Sequence, residues 1–247
     1  MSGETPDRSG AAELARAVAE HLRYYRALGI TDLQVTGGTG EGERPSLNRV
    51  RAELGDCTRC PLCQTRQQIV FGTGHDQAEL VFVGEGPGEE EDRQGEPFVG
   101  RAGQLLDRML AAVGLTRSEA PPEQQVYIAN VLKCRPPANR NPLPQEVAQC
   151  EPFLLRQMAL VQPDLILAMG RFAVQSLLKT SEPIGKLRGR VHEVQGIPVV
   201  VTYHPAYLLR NPADKALVWD DLCRARELQL SRAAARSGTG RGADQGT

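Results

Sequence analysis

Four apolar runs, rich in β-branched residues, alternate along this chain with segments whose apolar residues recur at helical spacing. The runs cover residues 80–83, 126–131, 165–169 and 199–202. The helical segments cover about residues 102–113, 144–161, 171–178 and 213–228. Strands that alternate with helices form parallel sheets joined by right-handed crossovers. The pattern therefore predicts an α/β fold, a three-layer α/β/α arrangement around a central four-stranded parallel sheet.

The composition is that of a globular protein. The chain has 247 residues, 40% of them hydrophobic, which is enough for a substantial core. Its formal net charge is −1, so any nucleic-acid site must be a local patch rather than an overall basic field. No stretch approaches the ~20 apolar residues of a membrane span, and the N-terminus lacks the layout of a signal peptide. We expect a cytoplasmic protein that does not enter membranes.

The chain is expected to have three parts. Residues 11–30 have an amphipathic pattern closed by Gly29, and residues 36–45 have the composition of a flexible linker. Residues 1–45 are therefore interpreted as an appended helix and linker, and residues 46–230 as the main domain. Residues 231–247 lack periodic apolar positions and are expected to be disordered.

Unusual loops follow three of the predicted strands. They are GEGPGEEED at 84–92, which continues through PFVGR at 97–101, then NVLKCRPP at 130–137, and HPAYLLR at 204–210. Because the carboxyl ends of parallel strands meet at one edge of a sheet, these loops are expected to share a cleft. The acidic run could be a solvated surface turn. The position of Glu85, directly after a strand, instead favours a binding or catalytic site.

Six cysteines occur in a chain that we expect in a reducing compartment, which favours metal ligands or buried thiols over disulfides. Cys57 and Cys60 form a chelating pair, and Cys134 and Cys150 could complete a site of four thiolates. Such a site holds zinc or an iron–sulfur cluster, and the ligand type does not decide between them. Cys63 competes with Cys60 as the second ligand.

Together these motifs resemble those of the family 4 uracil-DNA glycosylases, the iron–sulfur branch of that superfamily. The resemblance covers CTRCPL at 57–62, PFVGRAGQLL at 97–106 and the three loops, in the same order, and runs from about Cys57 to Leu222. It implies monofunctional hydrolysis of the N-glycosidic bond of deoxyuridine in DNA. That reaction releases uracil, leaves an abasic site and initiates base excision repair.

The resemblance also implies roles for individual residues. Phe98 is similar to the aromatic residue that stacks on the base flipped out of the DNA. Asn130 matches the amide that recognises uracil, with its carbonyl accepting from N3–H and its NH₂ donating to O4. His204 matches the histidine that donates to uracil O2 as negative charge builds on the departing base.

Better-known branches of the superfamily carry an aspartate at the position of Gly86 to position water. Because glycine stands there in this chain, the resemblance leaves Glu85 or Glu91 to position water or to stabilise an oxocarbenium-like sugar. Glu85 and Gly86 would also contact the substrate. Leu208 corresponds to the wedge that fills the gap left by the flipped base, with a core position as its alternative. Arg210 is expected to hold a phosphate.

By the same resemblance, Cys57, Cys60, Cys134 and Cys150 hold a [4Fe–4S] cluster with a structural role. The implied partner is DNA that contains uracil, single- or double-stranded, bound by a monomer. The N-terminal helix could in addition dock a repair or replication protein.

Two other functions fit parts of the sequence. A uracil-DNA capture protein would bond covalently to its product through a histidine in a basic insertion, but residues 134–144 contain no histidine. A nucleic-acid or nucleotide-binding module with a structural zinc site would account for the cysteines and basic residues. It would not explain why Phe98, Asn130 and His204 are expected in the same cleft.

Overall fold

The computed structural model describes residues 45–239 and, before them, Ala19. The helix expected in residues 11–30, the linker up to residue 44 and the end of the tail lie outside the described residues. The chain divides into two units, Met1–Arg44 and Pro45–Thr247, and the fold below is that of the second unit. No helix in the described part is long and apolar enough to cross a membrane.

A six-stranded sheet forms the centre of this unit. The strands are β1 (Thr73–Gly74), β2 (Leu80–Gly84), β3 (Val126–Asn130), β4 (Leu165–Met169), β5 (Val191–Val194) and β6 (Ile197–Thr202). They lie in the order β1-β3-β2-β4-β6-β5, and the four inner strands are parallel, as predicted. Strands β2, β3 and β4 are buried along their whole length, which explains their continuous rather than alternating apolar sequences.

Helices cover both faces of the sheet. They are α1 (Leu47–Leu54), α2 (Glu89–Gln94), α3 (Arg101–Ala112), α4 (Pro144–Val161), α5 (Arg171–Leu178), α6 (Ile184–Leu187), α7 (Pro205–Arg210) and α8 (Lys215–Thr239). Apolar residues of α4, α5 and α6 pack on one face, and those of α3, α7 and α8 pack on the other. The predicted three-layer α/β/α architecture is confirmed.

The connections of β2 determine where a ligand can bind. Strand β2 lies between β3 and β4, and Val83 is paired with Ala129 on one side and with Ala168 on the other. The chain passes from β2 to its neighbour β3 and then crosses back to β4 on the opposite side of β2. The strand order thus reverses between β2 and β4, where open α/β sheets form their ligand crevice outside the carboxyl ends of the strands.

The sequence analysis missed the two edge strands, which are antiparallel to their neighbours. Strands β5 and β6 are joined by Gln195 and Gly196, with φ of 53° and 80°. A two-residue turn with positive φ at both positions matches the twist of a hairpin. Gly196 between two short apolar segments was the available signal. Strand β1 has only two residues, too few for a period to be read.

Helix α8 is longer than predicted. It continues to Thr239, beyond the expected end near Leu228 and into the segment 231–247 that was expected to be disordered. The added turns contain three consecutive alanines and two arginines. Both residue types have high helix propensity, so the helix can extend here without an apolar face to bury.

Candidate active site

A cavity of about 430 Å³ opens at the carboxyl ends of the parallel strands. Its lining includes seven residues singled out from the sequence: Glu85, Gly86, Glu91, Phe98, Asn130, His204 and Arg210. These residues come from the loops that follow β2, β3 and β6. Segments more than 100 positions apart in the sequence therefore form one site, as expected of a parallel sheet.

Glu91 fixes the conformation of the first loop. Its Oε1 accepts hydrogen bonds from the backbone N–H groups of Val99 and Gly100, both at 2.9 Å. Its Oε2 accepts one from the N–H of Gly88 at 3.0 Å. Charge-assisted bonds of this kind are roughly twice as strong as neutral ones. The carboxylate of Glu91 thus ties the beginning of the loop to its end.

Phe98 has an unusual backbone conformation, with φ of 56° in the left-handed region. Arg117 holds it there, because Nη1 donates to the carbonyl of Pro97 at 2.6 Å and Nη2 to that of Phe98 at 3.0 Å. Asp107 in turn accepts from Nε of Arg117 at 2.8 Å. A Cβ on Gly103 of α3 would overlap the carbonyl of Phe98, so only glycine leaves room for this loop. Backbone strain held by surrounding contacts is typical of functional sites.

Asn130, the last residue of β3, contributes an unpaired acceptor to the cavity. The residue is 2% exposed, and its Oδ1 has no hydrogen-bond partner among the described residues. A buried acceptor without a partner costs roughly 1–3 kcal/mol. Gly84 allows this arrangement, because a Cβ there would collide with Asn130 Oδ1 and would lie 2.6 Å from Cζ of Phe98. The oxygen is therefore placed to receive a donor from a ligand beside the Phe98 ring.

A buried polar network supports Asn130 from behind. The fully buried Lys133 donates from Nζ to the backbone carbonyl of Asn130 at 2.8 Å and to Oε1 of Gln157 at 2.6 Å. Gln157 Nε2 donates onward to the carbonyl of Phe71 and to the hydroxyl of Tyr127, both at 2.9 Å. These bonds fix the end of β3 and hence the position of the Asn130 side chain.

His204 lies at the N-terminus of α7 with its ring toward Phe98, the ring centroids being 5.3 Å apart. Its Nδ1 accepts a hydrogen bond from the N–H of Ala206 at 3.1 Å, so the proton of the neutral ring is on Nε2. Burial, reinforced by the positive charge of Arg210, lowers the pKa of His204 to about 4. At neutral pH His204 is therefore an uncharged imidazole with one N–H donor available to a ligand.

Glu85 differs from Glu91 in its surroundings. Burial raises the pKa of Glu85 to about 7, and the nearby Arg171 opposes that shift. Both carboxylates line the cavity, Glu85 directly after β2, but Glu91 is committed to three backbone donors. Of the two carboxylates left open by the sequence, Glu85 has the environment of a chemically active group and Glu91 that of a loop brace.

The structure places the side chain of Leu208 in the core. The side chain is 1% exposed and belongs to the apolar cluster that contains Leu105 of α3 and Val218 of α8. Because α7 packs against α3, the fourth residue after His204 is directed into the core, the alternative considered for it above. Leu209, the next residue, is 37% exposed. Arg210 follows and lines the cavity.

The cysteines predicted as metal ligands come from separate segments and converge. Cys134 and Cys150 are buried in one apolar cluster against which Cys60 packs. Cys60 interacts electrostatically with Cys57, Cys134 and Cys150, and Cys57 also interacts with Cys150. Cys63 interacts with Cys60 as well. Burial raises the pKa of Cys134 to about 11, and the nearby Arg66 opposes that shift.

Two arginines direct hydrogen-bond donors at these sulfurs. Arg59 Nη1 lies 3.2 Å from Sγ of Cys57, and Arg66 Nη1 lies 3.4 Å from Sγ of Cys134. Donors of this kind suit anionic sulfur. In the described part of the chain, no three His, Cys, Asp or Glu side chains are close enough together to hold a single metal ion. As a donor set, four cysteine sulfurs suit soft metal centres.

Some cavity residues were not singled out as contacts of the uracil base. Asn139, Arg140 and Asn141 belong to the loop after β3, and Tyr207 belongs to α7. Arg140 makes a two-bond ion pair with Glu146, at 2.9 and 2.5 Å, and the Tyr207 hydroxyl donates to Asp214 at 2.6 Å. The only sequence signal for them was proximity to the motifs, because nothing in a loop's composition says which side chains face inward.

Comparison with known proteins agrees with this geometry. A family model described as the uracil DNA glycosylase superfamily matches residues 71–223. The type-4 uracil-DNA glycosylase of Archaeoglobus fulgidus is 44% identical over 175 residues, which cover 68% of this chain and 85% of the relative. The type-4 enzyme of Thermotoga maritima is 45% identical over 174 residues, covering 69% and 88%. A type-5 enzyme of Pyrobaculum aerophilum is 31% identical, covering 54% and 64%.

The matched region contains the whole parallel sheet, the three loops of the cavity, and Cys134 and Cys150. The match extends over more than half of the chain, and the type-4 relatives are similar over most of their own length. The protein with this cavity is therefore a member of the uracil-DNA glycosylase superfamily.

Proposed function

We propose that this chain releases uracil from DNA by hydrolysing the N-glycosidic bond of deoxyuridine, and that the cavity at the ends of β2, β3 and β6 is its active site. The observation that carries the proposal is the unpaired Oδ1 of the buried Asn130. A base stacked in a duplex cannot reach this atom, so the nucleotide must be flipped into the cavity.

Recognition of the base rests on Asn130 and Phe98. The Asn130 carbonyl accepts from uracil N3–H, and its NH₂ donates to O4. Cytosine presents an acceptor at N3 and a donor at C4, so it would leave the buried amide with two mismatched contacts. The Phe98 ring, next to Asn130 over Gly84, offers a surface for stacking.

His204 stabilises the leaving group. As the glycosidic bond breaks, negative charge accumulates on uracil O2, and the Nε2–H of His204 donates to that oxygen. The contact of Nδ1 with Ala206 supports this tautomer, and the low pKa of His204 supports a neutral donor. A donor held in place before charge develops is typically worth 10²–10³ in rate.

Glu85 acts on the sugar side of the bond. As a carboxylate it orients water or stabilises the positive charge that develops on the deoxyribose. Its place directly after β2, and the commitment of Glu91 to the loop backbone, support Glu85 over Glu91. A Cβ on Gly86 would lie 3.3 Å from Cβ of Leu132, a tight contact that glycine avoids.

Contacts to the DNA itself are assigned to α7. Arg210 at the cavity rim holds a phosphate. Since Leu208 is buried, the exposed Leu209 takes over the role of filling the gap left by the flipped base.

Cys57, Cys60, Cys134 and Cys150 are the residues that would hold a [4Fe–4S] cluster. Such a cluster would supply a structural link between the segment at 57–60 and the loop after β3, which begins at Asn130. Four convergent sulfurs and two arginine donors support this assignment.

The experiment is incubation of the purified protein with end-labelled oligonucleotides that contain one uracil, followed by alkali. Cleavage at uracil over multiple turnovers is expected. Asn130→Ala and His204→Ala should each reduce the rate by about 10²-fold or more. Oligonucleotides with cytosine or thymine at the same position should stay intact.

Two variants serve as matched controls. His75 accepts a backbone N–H two residues ahead through Nδ1, as His204 does, but lies outside the cavity. Asn48 is an exposed asparagine on α1. His75→Ala and Asn48→Ala should retain activity. A covalent protein–DNA adduct would favour the capture function, and intact strands without an adduct would contradict both.

A further inference from the structure

A second cavity, an apolar groove of about 380 Å³, lies between α3 and α8. Its lining is Leu105, Arg108, Met109, Ala112, Leu208, Lys215, Ala216, Val218, Trp219 and Leu222. The buried side chains of Leu208, Val218 and Leu222 form its floor. We call this the Trp219 groove; the chemistry proposed above does not use it.

Trp219 is the feature that requires an explanation. It is the only tryptophan in the chain, and 46% of it is exposed. A large aromatic ring left beside an apolar groove costs solvation free energy, and such exposure commonly marks a binding surface. The flat face of an indole is a platform on which a nucleobase can stack, whatever its sequence.

The rim of the groove is positively charged. Arg108 and Lys215 are both exposed, and neither makes an ion pair within the part of the chain that the structure describes. Nearby carboxylates are mostly engaged, since Asp107 pairs with Arg117 and Asp214 accepts from Tyr207. Asp220, next to Trp219, is the exposed acid of this rim. Two free cations flanking an apolar platform suit a segment of polyanion with stacking bases.

The groove and the active-site cavity share two helices, although no residue lines both. Helix α3 contributes Ala102 to the active-site cavity and Leu105 and Arg108 to the groove. Helix α7 contributes Tyr207 to the former and Leu208 to the latter. Six residues of helix separate Ala102 from Arg108, about 9 Å along the axis. At 3.4 Å per nucleotide of a stacked strand, that distance corresponds to about two or three nucleotides.

We propose that the Trp219 groove is an accessory nucleotide site. It takes a base two or three positions from the uracil on the same strand, stacked on Trp219, with the flanking phosphates held by Arg108 and Lys215. The inference rests on the proposed function, because it needs the uracil to occupy the neighbouring cavity. The positive charge of the rim, and the helices that the groove shares with that cavity, favour DNA over a protein segment as the occupant.

The test uses the full-length protein and the fluorescence of its single tryptophan. The probes are single-stranded oligonucleotides with one tetrahydrofuran abasic-site analogue and zero to four nucleotides on either side. Because Trp219 is the sole fluorophore of its kind, quenching reports on this groove alone. Quenching and a step in affinity are expected together when the flank on one side reaches two or three nucleotides.

Substitutions separate stacking from charge. Trp219→Ala should remove the affinity step, a loss of about 5- to 100-fold, and Trp219→Phe should keep most of it. Arg108→Gln and Lys215→Gln should each reduce the slope of log K against log salt by about 0.7. Leu230→Ala is the control, because Leu230 is an equally exposed apolar residue of α8 outside the groove; it should leave the step intact.

The outcomes distinguish this inference from the proposed function. If a preparation excises uracil but its tryptophan fluorescence does not change at any flank length, the accessory site is overturned and the proposed function is not. An affinity step of equal size in Trp219→Ala and wild type would have the same consequence and would point to a protein segment as the groove's occupant. A preparation that does not excise uracil overturns the proposed function and the accessory site with it.

Discussion

Single glycines set the distances in the active-site cavity. Gly84 lets Asn130 and Phe98 approach each other, and Gly170, with φ of 87°, lets the chain after β4 pass close to His204, where a Cβ would lie 2.9 Å from that of His204. Neither glycine has a side chain that could take part in the reaction. Their contribution is the absence of a side chain at the two points where the strand ends would otherwise hold the functional residues apart.

The ionisation of Glu85 predicts the pH dependence of the reaction. The pKa of Glu85 is raised to about 7, so the carboxylate form required by the proposed role appears as pH rises through that value. Uracil excision should therefore increase from about pH 6 to pH 8, and Glu85→Gln should be slow and flat over that range. The pKa of His204, about 4, places its titration below this window. A wild-type profile that is flat from pH 6 to 8 would count against Glu85.

The same shift predicts an effect on stability. The pKa of Glu85 in the folded protein lies above its ordinary value of 4.5, so folding favours the protonated form. This contribution to the free energy of unfolding is fully present below pH 4.5 and is lost as pH rises through about 7. Glu85→Gln should thus gain stability relative to wild type as pH rises from about 4.5 to 7, measured by urea unfolding. The exposed Glu182→Gln should show no such change relative to wild type.

At the scale of elements, the loop between β2 and α3 behaves as one braced unit. Glu91 holds its backbone, Arg117 holds the strained Phe98, and Gly103 of α3 provides the space. These three residues come from two helices and the segment after α3. None of them needs to touch the substrate to affect the position of the Phe98 ring.

Gly103→Ala tests this arrangement. The new methyl group would overlap the Phe98 carbonyl, so we expect a loss of about 1–3 kcal/mol in the free energy of unfolding and a clear fall in uracil excision. Gly185→Ala in α6 is the matched control, because the nearest atom to its Cβ would be the Tyr203 hydroxyl at 3.9 Å. Equal stability and activity in the two variants would mean that Phe98 is not set by this contact.

Leu208 and the β5–β6 hairpin show where sequence patterns fail at this scale. The spacing of Leu208 from His204 is the same whether α7 points it outward or inward, and only the packing of α7 on α3 decides. The hairpin was hidden because β5 has only four residues and none of them is buried, so it leaves a weak signal in the sequence. The inner strands and helices α3, α4 and α5, by contrast, were predicted to within a few residues, because burial on both faces or along one face leaves a clear period.

At the scale of the molecule, the cysteines join parts of the chain that the sheet does not. Cys57 and Cys60 precede all the strands, Cys134 follows β3, and Cys150 lies in α4. A cluster held by all four would fasten the first segment of the domain to the loop behind Asn130. Its loss should therefore affect both stability and the active site.

Cys57→Ser, Cys134→Ser and Cys150→Ser are expected to reduce bound iron and visible absorbance, lower the thermal midpoint and reduce uracil excision. Cys63→Ser and Cys223→Ser are the controls and should keep iron and colour. The measurements are iron content, the visible spectrum and thermal unfolding of each purified variant. Retained iron in Cys60→Ser together with lost iron in Cys63→Ser would reverse the choice between those two neighbours.

The sequence by itself determined the architecture, the family and the residue types available for chemistry. Buried strands and amphipathic helices leave local periods, and motifs keep their order along the chain. Only the tertiary structure decided which carboxylate is bonded to the loop backbone, which leucine is buried, and that Trp219 and Arg108 line one groove. Those facts depend on contacts between segments far apart in sequence. Such contacts set the direction of a side chain without changing the local sequence pattern around it.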